Sequence, residues 1–264
     1  MLDGGAIFPT DLTDVNEKDV PMSTIARFQM ARFGLTRAIR LALLPPVCCL
    51  CGARGQPPDL DLCDVCATLL PVLEGGAGSM PAIGGNTLVR SLFLFKYEYP
   101  VDHFIRALKF RGERVFARVL GELLAQEHRS RGWDPPECIV PMPLHVSRLR
   151  ERGFNQALEI ARFAAASLGT RIESGYLVRR FATQEQSGLT LPARRKNVQR
   201  AFEVVRPLPY GRVALLDDVV TTGSTATAAI EALHAAGVRE IELWAIARVE
   251  KSGVDVFEEH ADEH

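Results

Sequence analysis

The chain reads as an α/β protein, a mainly parallel sheet flanked by helices, with a small N-terminal module built on four cysteines. Three observations predict this. An apolar strand at 213–216, a helix at 225–236 closed by Gly237 and a second apolar strand at 241–247 form the pattern of a right-handed strand–helix–strand crossover. Strand and helix signals also alternate upstream, with a short strand at Cys138-Ile139-Val140, a helix over 154–168 and a strand over 172–178. Ahead of them stand Cys48-x-x-Cys51 and Cys63-x-x-Cys66. A parallel sheet of this kind receives ligands at the carboxyl ends of its strands.

Taken in order, residues 1–22 are acidic and aperiodic, which predicts a disordered leader; Met22 and Met30 are alternative starts that would leave the first 21 residues outside the protein. From Ser23 to Leu44 the apolar residues Ile25, Phe28, Phe33, Ile39 and Leu43 alternate with four arginines, a basic amphipathic helix stopped by Pro45-Pro46. With the cysteines it makes a module over 23–74. A Gly-rich linker at 75–85 follows, and the second domain is expected over 86–250. It opens with an extended hairpin-like segment at 88–99, then helices over 101–110 and 114–129. Residues 189–198 suit a basic helix or a mobile loop, and 251–264 an acidic tail. No internal repeat is present.

At 264 residues and 47% hydrophobic content the chain has enough apolar material to bury a core, and its net charge of −1 says nothing of partners. The distribution is uneven, because residues 129–212 hold fifteen Arg or Lys against seven Asp or Glu. Such a segment faces phosphates of a small substrate or of nucleic acid, or is a solvated basic surface. The longest apolar run, 41–50, is broken by Pro45-Pro46, so no membrane span is expected; with no secretory signal pattern, the expected location is cytoplasmic.

The most specific stretch is Val-Ala-Leu-Leu-Asp-Asp-Val-Val-Thr-Thr-Gly-Ser-Thr at 213–225. An apolar strand runs into two adjacent carboxylates, then a hydroxyl-rich turn, then a helix start. The turn presents backbone N–H groups where the helix dipole favours an anion, with donors from Thr221, Thr222, Ser224 and Thr225, and Gly223 admits close backbone approach. Asp217 and Asp218 repel each other unless a cation or hydrogen-bond donor lies between them, and a ribose diol, alone or with a divalent cation, meets that need. The plain alternative, a strand end and a capped turn, explains a lone Asp-Asp better than this nine-residue run.

Cys48, Cys51, Cys63 and Cys66 offer four thiolates that can close a tetrahedron around Zn²⁺, a zinc ribbon with a short loop of eleven residues. Cys49, one residue from Cys51, is left out. With four thiolate ligands the metal is structural, with no open position for chemistry. Cys138 reads as a buried core thiol.

Two basic constellations complete the reading. Arg148, Arg150 and Arg152 precede Gly153-Phe154-Asn155-Gln156, either as guanidinium forks for a pyrophosphate or as a solvated turn with Asn155 as helix N-cap. Thr183, Gln186, Arg194, Arg195 and Lys196 lie in a polar, Gly-bearing stretch suited to a flap closing over a phosphate.

In this order the cysteine knuckles, Leu108-Lys109-Phe110, Arg150-x-Arg152-Gly153-Phe154-Asn155-Gln156, Thr183-x-x-Gln186-Ser187-Gly188-Leu189, Arg194-Arg195-x-Asn197 with Ala201-Phe202, and the 217–225 run resemble the ComF family over residues 42–249. The last run resembles the ribose-phosphate loop of type I phosphoribosyltransferases. The resemblance implies that Asp217 and Asp218 hold the ribose hydroxyls of phosphoribosyl pyrophosphate, and that Val219, Val220, Thr221, Thr222, Gly223, Ser224 and Thr225 form its phosphate loop. It also implies that Arg150, Arg152, Lys109 and the flap cations Arg194, Arg195 and Lys196 neutralise pyrophosphate, with Mg²⁺ bridging pyrophosphate and ribose oxygens. The implied activity is phosphoribosyl transfer to an acceptor. The rivals are a protein that handles single-stranded DNA with competence helicase machinery, and a phosphoribosyl pyrophosphate sensor without turnover. A homodimer is a further expectation. The acidic leader and Cys49 depart from the family pattern.

Overall fold

The computed structural model describes residues 45–56, 60–75, 89–181 and 201–250, and the backbone of 77–80. Expectations for the leader, the 23–44 helix, the flap with Thr183, Gln186, Arg194, Arg195 and Lys196, and the acidic tail lie outside the described residues.

After a single helical turn, α1 (Asp64–Ala67), the elements follow as β1 (Ala77–Met80), β2 (Val89–Lys96), α2 (Val101–Arg111) and α3 (Arg114–Ser130). Next come β3 (Cys138–Pro141), α4 (Val146–Arg152), α5 (Gln156–Leu168), β4 (Arg171–Ile172) and β5 (Leu177–Arg179). The chain ends in β6 (Phe202–Val204), β7 (Arg212–Val220), α6 (Ser224–Ala235) and β8 (Glu240–Arg248). Six strands form one sheet in the order β1-β2-β8-β7-β3-β4. Five of them are parallel, and β1 pairs antiparallel with β2 at one edge. β5 and β6 form a separate antiparallel ribbon.

Side-chain alternation along the central strands builds two cores, since successive residues of a strand point to opposite faces. Leu92, Ile139, Ala214, Leu216, Trp244 and Ile246 pack with α2, α3 and α5 through Phe104, Leu108, Leu120 and Ile160. Phe93, Val140, Val213, Leu215, Leu243 and Ala245 pack with α6 and with the ribbon residues Leu177 and Phe202. Helices therefore cover both faces, as a parallel sheet requires. Cys138 is fully buried in the second core, and burial pushes its thiol up to about 12.

Several expected boundaries need correction. The strand expected at 213–216 runs from 212 to 220, so the acidic pair lies within the strand; β7 stays paired with β8 as far as Val220↔Arg248. The strand expected over 172–178 is two strands in different sheets, because Gly175 takes φ 95° and turns the chain out of the main sheet. The hairpin-like segment at 88–99 is one strand, and its antiparallel partner β1 falls in the stretch expected as linker. The arginine-rich turn at 146–152 is the short helix α4.

Gly121 marks the closest approach of α3 and α5: an added Cβ would meet Ile160 O and Phe163 Cβ, both at 2.7 Å. Alanine brings roughly 1 kcal/mol of helix propensity, whereas overpacking costs about 1–3 kcal/mol. Because the clash involves backbone, Gly121→Ala is expected to lower stability in urea denaturation; a gain would contradict this packing.

Candidate anion site at the carboxyl edge of the sheet

Three connections leave the carboxyl ends of parallel strands of the main sheet, β7 and β3 side by side and β2 beyond β8, and converge. β7 delivers Asp217 and Asp218 and continues through Thr221 and Thr222 into α6. β3 leads through Met142 into α4 and Arg152, and β2 leads into α2 and Lys109. Met142 N–H donates to Leu216 O at 2.7 Å, which fixes the β3 exit against β7 beside the acidic pair.

Alternation sends the two carboxylates to different faces. Asp217 has the parity of Leu215 and stands in register with Ala245, both in the α6-side core. Asp218 has the parity of Leu216, toward α2, and is 4% exposed. There Lys109 Nζ lies 2.5 Å from Asp218 Oδ2. A buried carboxylate needs such a partner, because leaving water without one costs several kcal/mol. Asp218 Oδ1 also accepts from Val219 N–H at 3.0 Å, and Asp217 Oδ1 from Asp218 N–H at 2.8 Å. Asp217 is half-buried, and desolvation together with the Asp218 charge holds its carboxyl well above the ordinary Asp range.

The corner after β7 is built for close approach. Gly223 adopts φ 75°, a left-handed conformation open to a residue without Cβ, and serves as N-cap of α6 without a side-chain capping bond. The first N–H groups of a helix have no partner within it. Thr222 Oγ1 and Ser224 Oγ stand 3.0 Å apart, and Thr221, Thr222 and Ser224 are exposed while Thr225 is half-buried. This arrangement can receive a phosphate oxygen set from backbone and hydroxyl donors.

Both readings of the arginine motif hold in part. Asn155 caps α5, accepting from Ala157 and Leu158 N–H at 2.9 and 3.3 Å, and ties it to β3 by donating to Met142 O at 3.0 Å. Arg152, half-buried, donates to Gln156 Oε1 and lies 5.7 Å from the Phe110 ring centroid. Burial lowers the pKa of Arg152 from the ordinary Arg value, and the Asp218 charge opposes that shift. Arg150 lies on the exposed side of α4. Two residues near the site were given no role from sequence, Phe110 being quoted only within the family motif. Phe110 is 74% exposed beside Arg152. Arg179, on β5, is depressed by burial and raised by the charge of Asp217.

Away from this edge, the ligand atoms of Cys48, Cys51, Cys63 and Cys66 lie within 4.8 Å of one another, with Cys51 and Cys63 sulfurs 3.6 Å apart. Zn–S bonds of about 2.3 Å give a tetrahedral S–S edge of roughly 3.8 Å, so the group fits a four-thiolate metal site. Cys49 stays outside it, its thiol pushed up to about 11 by burial. Leu60 and Leu62 join the α2–α3 core, and buried Asp61 pairs with Arg118 of α3. Among the described residues this is the one group of three or more metal-capable side chains.

No protein-family profile matches the chain. Relatives do. Competence protein F of Haemophilus influenzae is 35% identical over 159 residues, 58% of this chain and 69% of that protein. The DNA utilization protein YhgH of Salmonella typhi is 31% identical over 224 residues, 78% of this chain and 98% of its own length. The chain belongs to the ComF family, that of Competence protein F and YhgH. Solved phosphoribosyltransferases are similar over part of it. Glutamine phosphoribosylpyrophosphate amidotransferase of Bacillus subtilis is 21% identical at TM-score 0.35, with 49% of this chain covering a quarter (25%) of that one. Orotate phosphoribosyltransferase of Aeropyrum pernix is 18% identical at TM-score 0.34, over 66% of this chain and 76% of that one. Among the described residues no helix is long and apolar enough to cross a membrane.

Lys109→Met strands the Asp218 charge and is expected to cost about 3 kcal/mol of stability. Adding Asp218→Asn should recover most of that loss in a double-mutant cycle of denaturation midpoints. Additive losses would break the assignment.

Proposed function

We propose that the chain binds phosphoribosyl pyrophosphate at the β7–α6 corner and transfers its phosphoribosyl group to an acceptor, releasing pyrophosphate. The observation that carries this reading is the adjacency of an acidic pair, one member of it ion-paired to Lys109, to an uncapped, hydroxyl-lined helix start. Asp217 and Asp218 accept from the two ribose hydroxyls, and residues 221–225 donate to the 5-phosphate. Lys109 and Arg152 stand where pyrophosphate charge grows as the C1–O bond breaks, so catalysis is positioning and charge stabilisation. Arg150 and the flap residues Thr183, Gln186, Arg194, Arg195 and Lys196 are assigned to pyrophosphate by family resemblance alone. Mg²⁺ bound together with the substrate would help to neutralise the pyrophosphate charge, and Asp217 and Asp218 are the carboxylates that would face it.

The cysteine group is proposed to hold one structural Zn²⁺. Its sphere is closed by four thiolates, and the metal does no chemistry.

A second reading is favoured by the names of the relatives, competence and DNA utilization, and by the basic excess over 129–212. Here the same edge holds single-stranded DNA through its phosphates.

Asp217→Asn combined with Asp218→Asn is expected to abolish calorimetric binding of phosphoribosyl pyrophosphate while the circular dichroism of the protein is kept. Unchanged affinity removes the ribose assignment. Binding of single-stranded DNA that weakens steeply with salt and survives this double substitution favours the second reading instead.

Chelation is expected to release about one zinc per chain and to loosen residues 46–70 first in hydrogen exchange, structural zinc in small peptides being worth on the order of 10 kcal/mol. Freshly purified protein without zinc overturns the metal assignment.

A further inference from the structure

Arg152 and Gln156 meet across the bend at Gly153, where α4 ends and α5 begins. Gln156 is 5% exposed, and its Oε1 accepts from Arg152 Nη1. The Arg152 guanidinium also lies over the exposed ring of Phe110. Direct contacts tie both of its neighbours to the anion site. Phe110 follows Lys109, whose Nζ lies 2.5 Å from Asp218 Oδ2, and Phe154 stands 3.9 Å from where Gly112, just past the end of α2, would carry a Cβ. Asn155, next to Gln156, donates to Met142 O at 3.0 Å, and Met142 N–H donates to Leu216 O at 2.7 Å, one residue before Asp217.

We propose that Gln156 is a positioning residue: its buried amide oxygen fixes the Arg152 guanidinium at the site without neutralising it, and so leaves its charge for an anionic ligand. The consequence for phosphoribosyl pyrophosphate rests on the function proposed above; the relation between Gln156 and Arg152 does not.

The choice of an amide over a carboxylate matters. A carboxylate takes two parallel N–H bonds from a guanidinium and cancels its charge, whereas an amide oxygen orients the group and leaves the charge in place. Carboxylates are used on both flanking helices: Arg148 pairs with Glu151 on α4 at 3.2 Å, and Arg162 with Glu159 on α5 at 2.8 Å. Arg152, half-buried between them, receives the amide, and among the described residues no carboxylate lies within ion-pair distance of it. Drawing a cation partly out of water without a counter-ion is costly. Burial does weigh against the Arg152 charge, and the more distant Asp218 offsets only part of that effect. An entering anion removes the cost. With Nη1 engaged by Gln156, the guanidinium keeps its Nε–Nη2 edge, which can engage two phosphate oxygens at once.

The test begins with arginine side-chain NMR of the ligand-free protein, the Arg152 signals being assigned by their absence in Arg152→Lys. A guanidinium held at Nη1 turns slowly about its Nε–Cζ bond and shows distinct Nη1 and Nη2 signals. Gln156→Met keeps the side-chain volume and the Asn155 cap bonds while removing the amide oxygen, and is expected to merge the two signals. Gln156→Glu keeps an acceptor and should leave them distinct. Calorimetric affinity for phosphoribosyl pyrophosphate should fall about tenfold in Gln156→Met, the scale of one charged hydrogen bond. It should fall in Gln156→Glu as well, where a carboxylate competes with the ligand for Arg152; a merely structural Gln156 predicts wild-type affinity there, since the hydrogen bond is kept. Signals already merged in the wild type, or still distinct in folded Gln156→Met, overturn the proposal, as does wild-type affinity in either variant. Should Gln156→Met fail to fold, the affinity of Gln156→Glu decides alone. If the signals respond as expected but wild-type protein binds no phosphoribosyl pyrophosphate, the relation between Gln156 and Arg152 stands and the proposed function falls.

Discussion

A buried carboxylate at the end of a central strand sets the terms for everything around it. Asp218 is nearly inaccessible and ionised groups do not stay in such places alone, so α2 must end where Lys109 can reach it. That requirement couples helix to sheet across the core containing Leu108, Leu216 and Trp244. It also keeps β7 regular through two acidic residues that have poor strand propensity. The carboxyl edge of the sheet is therefore held by packing and charge together.

The acidic pair is divided by the pleat of the strand. Consecutive residues face opposite layers, so each carboxylate meets a different set of neighbours, α2 on one side and the α6–ribbon layer on the other. This division lets two like charges stand side by side. The corner that follows needs one backbone conformation that only Gly223 meets without strain, and the uncapped start of α6 then points donors outward.

Where the chemistry is local in the chain, the sequence was readable. The 217–225 run, the cysteine spacing and the Asn155 cap each depend on neighbours a few residues apart, and their geometry follows from turn and helix rules. Family resemblance gave Lys109 as a cation for pyrophosphate, and its ion pair with Asp218 was not legible. Features set by tertiary contact were not. Which of Arg179 and Arg180 faces inward depends on which side of the ribbon meets the core, and the break at Gly175 depends on where the main sheet ends. β1 arises in a glycine-bearing stretch of weak strand propensity because β2 offers an open edge. The cysteine module reads as separate by composition, whereas Leu60 and Leu62 join the same core as α2 and α3 and Asp61 pairs with Arg118 of α3.

The central claim is that the corner between β7 and α6 receives a phosphorylated pentose. Titrating isotope-labelled protein with ribose 5-phosphate, followed by amide NMR, tests it directly. The account predicts that the largest shifts fall on the backbone N–H groups of residues 221–225 and on Asp217 and Asp218. Saturable shifts centred elsewhere, or none at millimolar ligand, would contradict it.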